Sequence, residues 1–93
     1  MPGFEWDDAK AAANLRKHGI GFAFATSVFR DLFAIEWLDD REHRAEARMV
    51  LLGMAGRTLL VVVYVERGDR IRLISARRAT RNEQDIYFRE NSA

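Results

Sequence analysis

Cysteine is absent from the 93-residue sequence. Its absence excludes disulfide cross-links, metal sites built on thiolates, and catalysis by a cysteine nucleophile. A chain without cysteine also fits a reducing compartment, where disulfides rarely form.

Long hydrophobic runs are absent as well. The longest uninterrupted apolar stretch, residues 59–65, has 7 residues, whereas a membrane-spanning helix needs about 20. The first eight residues, Met-Pro-Gly-Phe-Glu-Trp-Asp-Asp, lack the basic and apolar regions of a signal peptide. We therefore expect a soluble, cytoplasmic protein.

Proline and glycine are scarce, with 1 and 6 residues, while 48% of the chain is hydrophobic. This composition excludes a collagen-like or disordered chain and predicts a packed core. The length allows one domain, residues 1–93. A domain this small has a thin margin of stability, so we expect a binding partner.

The net charge is only +1, but the charges are segregated. Residues 31–46 contain six acidic residues against two arginines, whereas residues 66–81 contain six arginines against two acidic residues. The chain has 13 arginines and 2 lysines, and guanidinium groups bind phosphate in a bidentate manner. An arginine-favouring genome explains the ratio equally well, so the clustering is the stronger indication of an anion-binding surface.

Helical patterns occupy the start and the end of the chain. Residues 7–18 are rich in helix formers, with Asp7 placed to cap the helix and Gly19 placed to end it. The apolar spacing in residues 21–31 predicts a second, short helix. Thr80 and Glu83 have capping-box spacing, which predicts a last helix extending to about residue 90.

The middle of the chain predicts strands at residues 34–38, 48–54, 59–65 and 70–78, separated by an acidic loop at 39–46 and by turns at 53–56 and 66–69. The third strand is apolar on both faces and should be central. Alternation in the last strand predicts one face with Ile71, Leu73, Ser75 and Arg77 and the other with Arg70, Arg72, Ile74 and Arg78. The predicted fold class is α+β, with two N-terminal helices, a four-stranded antiparallel sheet and a C-terminal helix.

Catalytic candidates come from the basic segment and the two histidines. Glu66 and Arg67 end the third strand, and Arg77 and Arg78 end the fourth, so one hairpin cannot bring all four together. Each arginine is explained equally well as a solvated residue on an exposed sheet face. Two adjacent arginines before a helix N-terminus are more suggestive of phosphate binding.

Histidine transfers protons near neutral pH, which makes His18 and His43 candidates for acid–base chemistry. On position alone, His18 is better explained as a residue interacting with the C-terminal end of a helix, and His43 as a solvated loop residue. The spacing of the histidines and carboxylates matches no metal site. Trp6 and Trp37 are candidates for base stacking, although tryptophan in a small domain usually belongs to the core.

Two long blocks of this sequence form ordered motifs. The first runs from Phe4-Glu5-Trp6-Asp7 through Lys10-Ala11-Ala12-Ala13-Asn14 to Lys17-His18-Gly19-Ile20. The second is Glu66-Arg67-Gly68-Asp69-Arg70-Ile71-Arg72 followed by Ile74-Ser75-Ala76-Arg77-Arg78-Ala79-Thr80. Together the two blocks resemble the BrnT family of bacterial type II toxins. The family often has Asp-Pro where this chain has Asp31 and Leu32.

The resemblance implies a fold similar to RelE-type ribonuclease toxins, metal-independent cleavage of RNA that inhibits translation, and no cofactor. It also implies a BrnA-type antitoxin, a ribbon-helix-helix protein that neutralises the toxin and connects it to operator DNA. The catalytic residues expected on this basis are Glu66, Arg67, Arg77, Arg78 and His18. The expected RNA-binding residues are Lys10, Lys17, Arg70, Arg72 and Trp6.

An alternative is a binding module that cleaves nothing and acts as a co-repressor with its antitoxin. Under both hypotheses we expect the antitoxin to cover the basic segment, residues 67–81, with carboxylates and an apolar anchor.

Overall fold

A computed structural model describes residues 3–39 and 46–92. The predicted α+β class is confirmed. In chain order the elements are β1 (Gly3–Glu5), α1 (Asp8–His18), α2 (Phe22–Ala25) continued by a 3₁₀ helix (Thr26–Arg30), β2 (Ile35–Asp39), β3 (Arg48–Ala55), β4 (Thr58–Arg67), β5 (Arg70–Arg78) and α3 (Arg81–Glu90).

The strands form one mixed sheet in the order β1-β5-β4-β3-β2, in which β1 runs parallel to β5 and the other pairs are antiparallel. The prediction of four antiparallel strands is therefore wrong in one respect, because β1 adds a parallel edge strand. Glu5 secures this strand by accepting hydrogen bonds from Arg70 Nε at 3.0 Å and Arg72 Nη1 at 2.8 Å. Three residues are too few to show alternation, so their pattern gives no strand signal.

The predicted bounds of α1 are confirmed by both of its ends. Asp7 Oδ2 accepts a hydrogen bond from the backbone N–H of Lys10 at 3.0 Å. Gly19 adopts a left-handed conformation with φ of 72°, and its N–H donates to the carbonyl of Leu15 at 2.9 Å. These are standard solutions for the free backbone groups at helix ends.

The second predicted helix is only partly α-helical, because it tightens into a 3₁₀ helix at Thr26. Phe22, Ala25 and Val28 are all buried and are spaced by three residues. A 3₁₀ helix places residues three apart in one row, so the tighter winding from Thr26 keeps Val28 on the buried side below Ala25.

The sheet separates two hydrophobic clusters. The α2 face contains Phe22, Val28, Leu60 and Val62, and the opposite face contains the cluster around Tyr87 of α3. The predicted central position of β4 is confirmed. Helix α3 packs on this second face through Tyr87 and Ile86.

Gly53 was predicted to belong to a turn but lies buried inside β3, and the turn begins at Gly56, whose φ is 59°. A Cβ on Gly53 would lie 3.1 Å from the Cβ of Ala34. Nearby, Asp31 Oδ2 accepts hydrogen bonds from the Met54 N–H at 2.8 Å and the Tyr87 hydroxyl at 2.6 Å. A side chain at this position would therefore require Ala34 to shift by a few tenths of an ångström.

A β-bulge in β5 changes the predicted faces of this strand. Ser75 pairs with Val63 and Leu73 pairs with Tyr64, which leaves Ile74 without an opposing residue. The inserted residue resets the alternation. Ser75 and Arg77 therefore lie on the face covered by α3, opposite Leu73, and their predicted placement beside Ile71 and Leu73 is wrong.

Within the described ranges, no helix is long and apolar enough to span a membrane. Most of the predicted acidic loop, including His43, lies outside the described residues.

Candidate active site

A groove of about 540 Å³ lies on the α3 face of the sheet, and we call it the main groove. Val50, Val61 and Val63 contribute apolar surface from the central strands. The other described residues that line it are Lys17, His18, Trp37, Leu38, Asp39, Ser75, Arg77 and Glu83. The groove thus combines cations, an imidazole, an indole ring and an apolar surface.

Asn14 anchors the end of α1 beside the groove. Its Nδ2 donates to the carbonyls of Ile20 at 3.0 Å and Ala76 at 2.8 Å, and its Oδ1 accepts from the N–H of Ala76 at 3.1 Å. A buried amide with all these bonds made holds two elements in a defined register. Asn14 therefore fixes the last turn of α1, with His18, next to the β5 residue that precedes Arg77.

Arg77 is held by a bidentate ion pair with Glu83 at the start of α3. Its Nη1 and Nη2 donate to the two carboxylate oxygens at 2.8 and 2.9 Å. The capping box forms as predicted: Glu83 accepts from the Thr80 N–H, and Thr80 Oγ1 accepts from the Glu83 N–H. Two fixed hydrogen bonds orient the guanidinium, while 39% of the Arg77 side chain remains accessible to solvent.

The guanidinium of Arg77 lowers the pKa of Glu83 to about 2, and the Thr80 N–H adds to this effect, against the opposing influence of burial. Glu83 is therefore an anion at neutral pH. A carboxylate of this pKa is a weak proton acceptor, so the chemistry of Glu83 suits positioning of Arg77 rather than proton transfer.

The main groove brings together only some of the residues predicted from the sequence. His18, Lys17 and Arg77 line it. Arg78 follows Arg77 on the strand, and its guanidinium lies beside Gly19 instead. The predicted separation of the two strand ends is confirmed, because Arg77 pairs with Val61, about 20 Å along β4 from Arg67.

The other predicted residues lie elsewhere. Trp6 packs edge-on against Phe22 at 5.9 Å and contacts the α2-face core. Arg70 is bonded to Glu5 and to the carbonyl of Phe4. Glu66 lies near Glu46 in a separate depression at the far end of the sheet.

Lys10, Arg67 and Arg72 line a second groove, which also lies away from His18.

Sequence reasoning identified Glu83 only as a helix cap and gave Asn14 no role. The signal for Glu83 was its spacing from Arg77: a strand-end arginine six residues before the carboxylate of a capping box. Trp37, considered for base stacking, lines the main groove and is 40% exposed. Across residues 3–39 and 46–92, no three His, Asp or Glu side chains converge in a way that would hold a metal ion.

Residues 6–83 match the family model described as "Ribonuclease toxin, BrnT, of type II toxin-antitoxin system". The chain belongs to the BrnT family. The resemblance noted from the sequence is thereby confirmed. The BrnT match begins at Trp6 and ends at Glu83, so it includes His18, Arg77 and the carboxylate that orients Arg77. No curated protein shows significant similarity to the chain. Membership of a type II toxin-antitoxin family implies an antitoxin partner.

Replacing Glu83 with glutamine should make the free energy of unfolding less dependent on pH in the acidic range. The pKa of Glu83 is depressed from 4.5 to about 2 in the folded protein. Its charge therefore stabilises the fold fully above pH 4.5, and this contribution disappears as the pH falls toward 2. We expect Glu83→Gln to lower the free energy of unfolding at pH 7 by about 1–2 kcal/mol, with a difference from wild type that shrinks below pH 4.

Urea unfolding at a series of pH values measures this difference. Asp85→Asn is the matched control on the same helix, because Asp85 lies 3.8 Å from Arg81 in an exposed pair that should contribute little. A difference between Glu83→Gln and wild type that stays constant from pH 7 to pH 2 would contradict the assignment.

Proposed function

We propose that this chain cleaves RNA in the main groove by a metal-independent transesterification. The 2′-hydroxyl oxygen of a ribose attacks the adjacent phosphorus, the bond to the 5′-oxygen breaks, and the products carry a 2′,3′-cyclic phosphate and a 5′-hydroxyl. Support comes from one observation: His18, Lys17 and a pre-oriented Arg77 line the same groove.

Each residue has a role that fits its chemistry. The imidazole of His18 takes the proton from the 2′-hydroxyl. Arg77 and Lys17 stabilise the negative charge that develops on the phosphorane oxygens. Water protonates the leaving 5′-oxygen, because the groove is open to solvent. Trp37 offers a ring face on which a base stacks.

The pair between Arg77 and Glu83 pre-organises the site before RNA binds. Arg77 uses two N–H groups for Glu83 and directs one of them also to the carbonyl of Arg78 at 3.2 Å. A guanidinium carries its N–H donors in a planar fork whose geometry matches the oxygens of a phosphate. Because the geometry is set in advance, little reorganisation is required when charge develops.

The test is cleavage of a structured RNA by purified, antitoxin-free protein in the presence of excess EDTA, with the new ends mapped. Cleavage with 2′,3′-cyclic phosphate termini supports the proposal. The Arg77→Ala protein, purified identically, controls for contaminating nuclease. RNA that is bound but stays intact would favour the non-catalytic binding module, and cleavage that EDTA abolishes would contradict metal independence.

The antitoxin, on this proposal, covers the main groove and the adjoining basic surface of β5 with carboxylates and an apolar anchor. We expect it to raise the unfolding temperature of this chain. Opposite charges accelerate encounter, so added salt should slow association while dissociation stays nearly constant. Stopped-flow mixing at several salt concentrations measures both rates.

Hydrogen exchange identifies the covered surface. Protection of residues 67–81 supports this mode of neutralisation. An association rate insensitive to salt, or protection of residues 31–46 with residues 67–81 left exposed, would contradict it.

A further inference from the structure

The second groove, of about 310 Å³, lies at the far end of the same sheet face. Of the residues that the structure describes, four cations line it: Lys10, Arg48, Arg67 and Arg72. The apolar side chains of Val65 and Ile74 also contribute to its surface, and the acidic side chain of Glu46 lines it as well.

These cations come from four different elements of the fold. Lys10 is on α1, Arg48 on β3, Arg67 at the end of β4 and Arg72 on β5. The β-bulge assists the arrangement, because the inserted residue, Ile74, lines this groove while its neighbour Ser75 lines the main groove.

Acidic residues neutralise only part of this charge. Arg67 Nη2 donates to Glu46 at 2.9 Å, and Arg72 Nη1 donates to Glu5 at 2.8 Å. Among residues 3–39 and 46–92, neither Lys10 nor Arg48 makes a side-chain ion pair. Convergence of like charges is unfavourable unless an anion joins them, so the excess charge indicates an anionic ligand.

The two grooves are neighbours along β4. Val63 lines the main groove and Val65, two residues further, lines the second. Alternate residues of a strand share a face. From Val61, which pairs with Arg77, to Val65 the distance is about 13 Å. A nucleic-acid strand with stacked bases rises about 3.4 Å per nucleotide, so about four nucleotides would span this distance.

We propose that the second groove is a subsite for single-stranded RNA, binding a backbone phosphate a few nucleotides from the bond that the main groove cleaves. Lys10 and Arg48 contact the phosphate, while Val65 and Ile74 contact the neighbouring ribose or base. The subsite rests on the proposed cleavage in the main groove. It makes the length of the RNA a determinant of how well the protein binds its substrate.

The experiment compares RNA oligonucleotides of increasing length, built outward in both directions from a mapped cleavage site. Wild-type protein should show a KM that falls once one flank reaches the second groove. Lys10→Gln and Arg48→Gln should each raise the KM for the long RNA about tenfold, as expected for loss of a charge-assisted hydrogen bond, while kcat and the cleavage of the shortest substrate stay unchanged. The dependence of log KM on log salt should become shallower by about 0.7 per lost contact.

Arg57→Gln is the matched control, since Arg57 is an exposed arginine in the turn before β4, at the opposite end from the second groove. It should leave the KM for the long RNA unchanged. Circular dichroism and thermal unfolding establish that the variants fold like wild type.

Three results would overturn the subsite. In the first, both variants keep the wild-type KM for the long RNA. In the second, the KM rises equally for the shortest and the longest RNA. In the third, the variants weaken only the binding of the antitoxin, which would assign the groove to the protein partner.

A binding assay distinguishes failure of the proposed cleavage from failure of the proposed subsite. Fluorescence anisotropy with a long RNA carrying a 2′-deoxy residue at the scissile position measures binding without cleavage, and the difference between each variant and wild type reports on the second groove. If no RNA is cleaved but Lys10→Gln and Arg48→Gln weaken this binding and Arg57→Gln does not, the phosphate subsite stands and the catalytic proposal fails. Equal binding by all four proteins would contradict the subsite.

Discussion

RNA cleavage by the His18→Gln protein is expected to be slower by about 10²–10⁴-fold, the range contributed by a positioned acid or base. His18 lines the main groove, and glutamine retains hydrogen-bonding capacity while losing the ability to accept a proton. Single-turnover cleavage with saturating protein measures the chemical step. The KM should change little, because the loss is in the chemistry.

The structural explanation for His18, a favourable interaction with the C-terminal end of α1, predicts a different result. Such an interaction contributes about 0.3–1 kcal/mol, so thermal unfolding would shift slightly and cleavage would be retained. His43→Gln is the companion variant. Normal cleavage by His18→Gln together with loss in His43→Gln would remove His18 from the mechanism and assign proton transfer to the other histidine.

Replacement of Arg77 with alanine should reduce cleavage by about 10²–10³-fold, the usual cost of removing one pre-organised donor that stabilises transition-state charge. Arg77→Lys should rescue little of this loss, because an ammonium group cannot make the bidentate contact with Glu83. The same single-turnover assay applies, with circular dichroism to confirm the fold.

Arg78→Ala is the control for Arg77→Ala, since it removes an identical charge from the next residue. Arg78 pairs with Leu60 of the α2-face cluster and is not among the residues that line the main groove, and we expect a loss of less than about tenfold, as for a surface charge that assists RNA binding. Equal losses in the two variants would show that the total charge of the segment matters and that the orientation of Arg77 does not.

The helix ends could be predicted because their interactions are local. Asp7 bonds to the backbone three residues away, and Thr80 and Glu83 bond to each other across the same spacing. Such contacts depend on neighbouring residue types alone. The central position of β4 was equally accessible, because a strand apolar on both faces must be covered on both.

The candidate site was less accessible, because long-range contacts create it. The side chain of Asn14 bonds to the backbone of Ala76 across 62 residues of sequence. An asparagine within a helical segment carries no signal of such a partner. The parallel strand β1 depends in the same way on Glu5 bonding to Arg70 and Arg72 across more than 60 residues.

By itself, the sequence determined the α+β class, the capped helices, the central strand and membership of the BrnT family, since these follow from periodicity, local hydrogen bonding and two long motif blocks. Only the tertiary structure decided which charged residues share a site. A single bulged residue, Ile74, moves Arg77 to the face that α3 and Glu83 occupy, and Arg78 then lies away from the groove. The physical reason is that strand alternation has a period of two, so one inserted residue reverses every assignment after it.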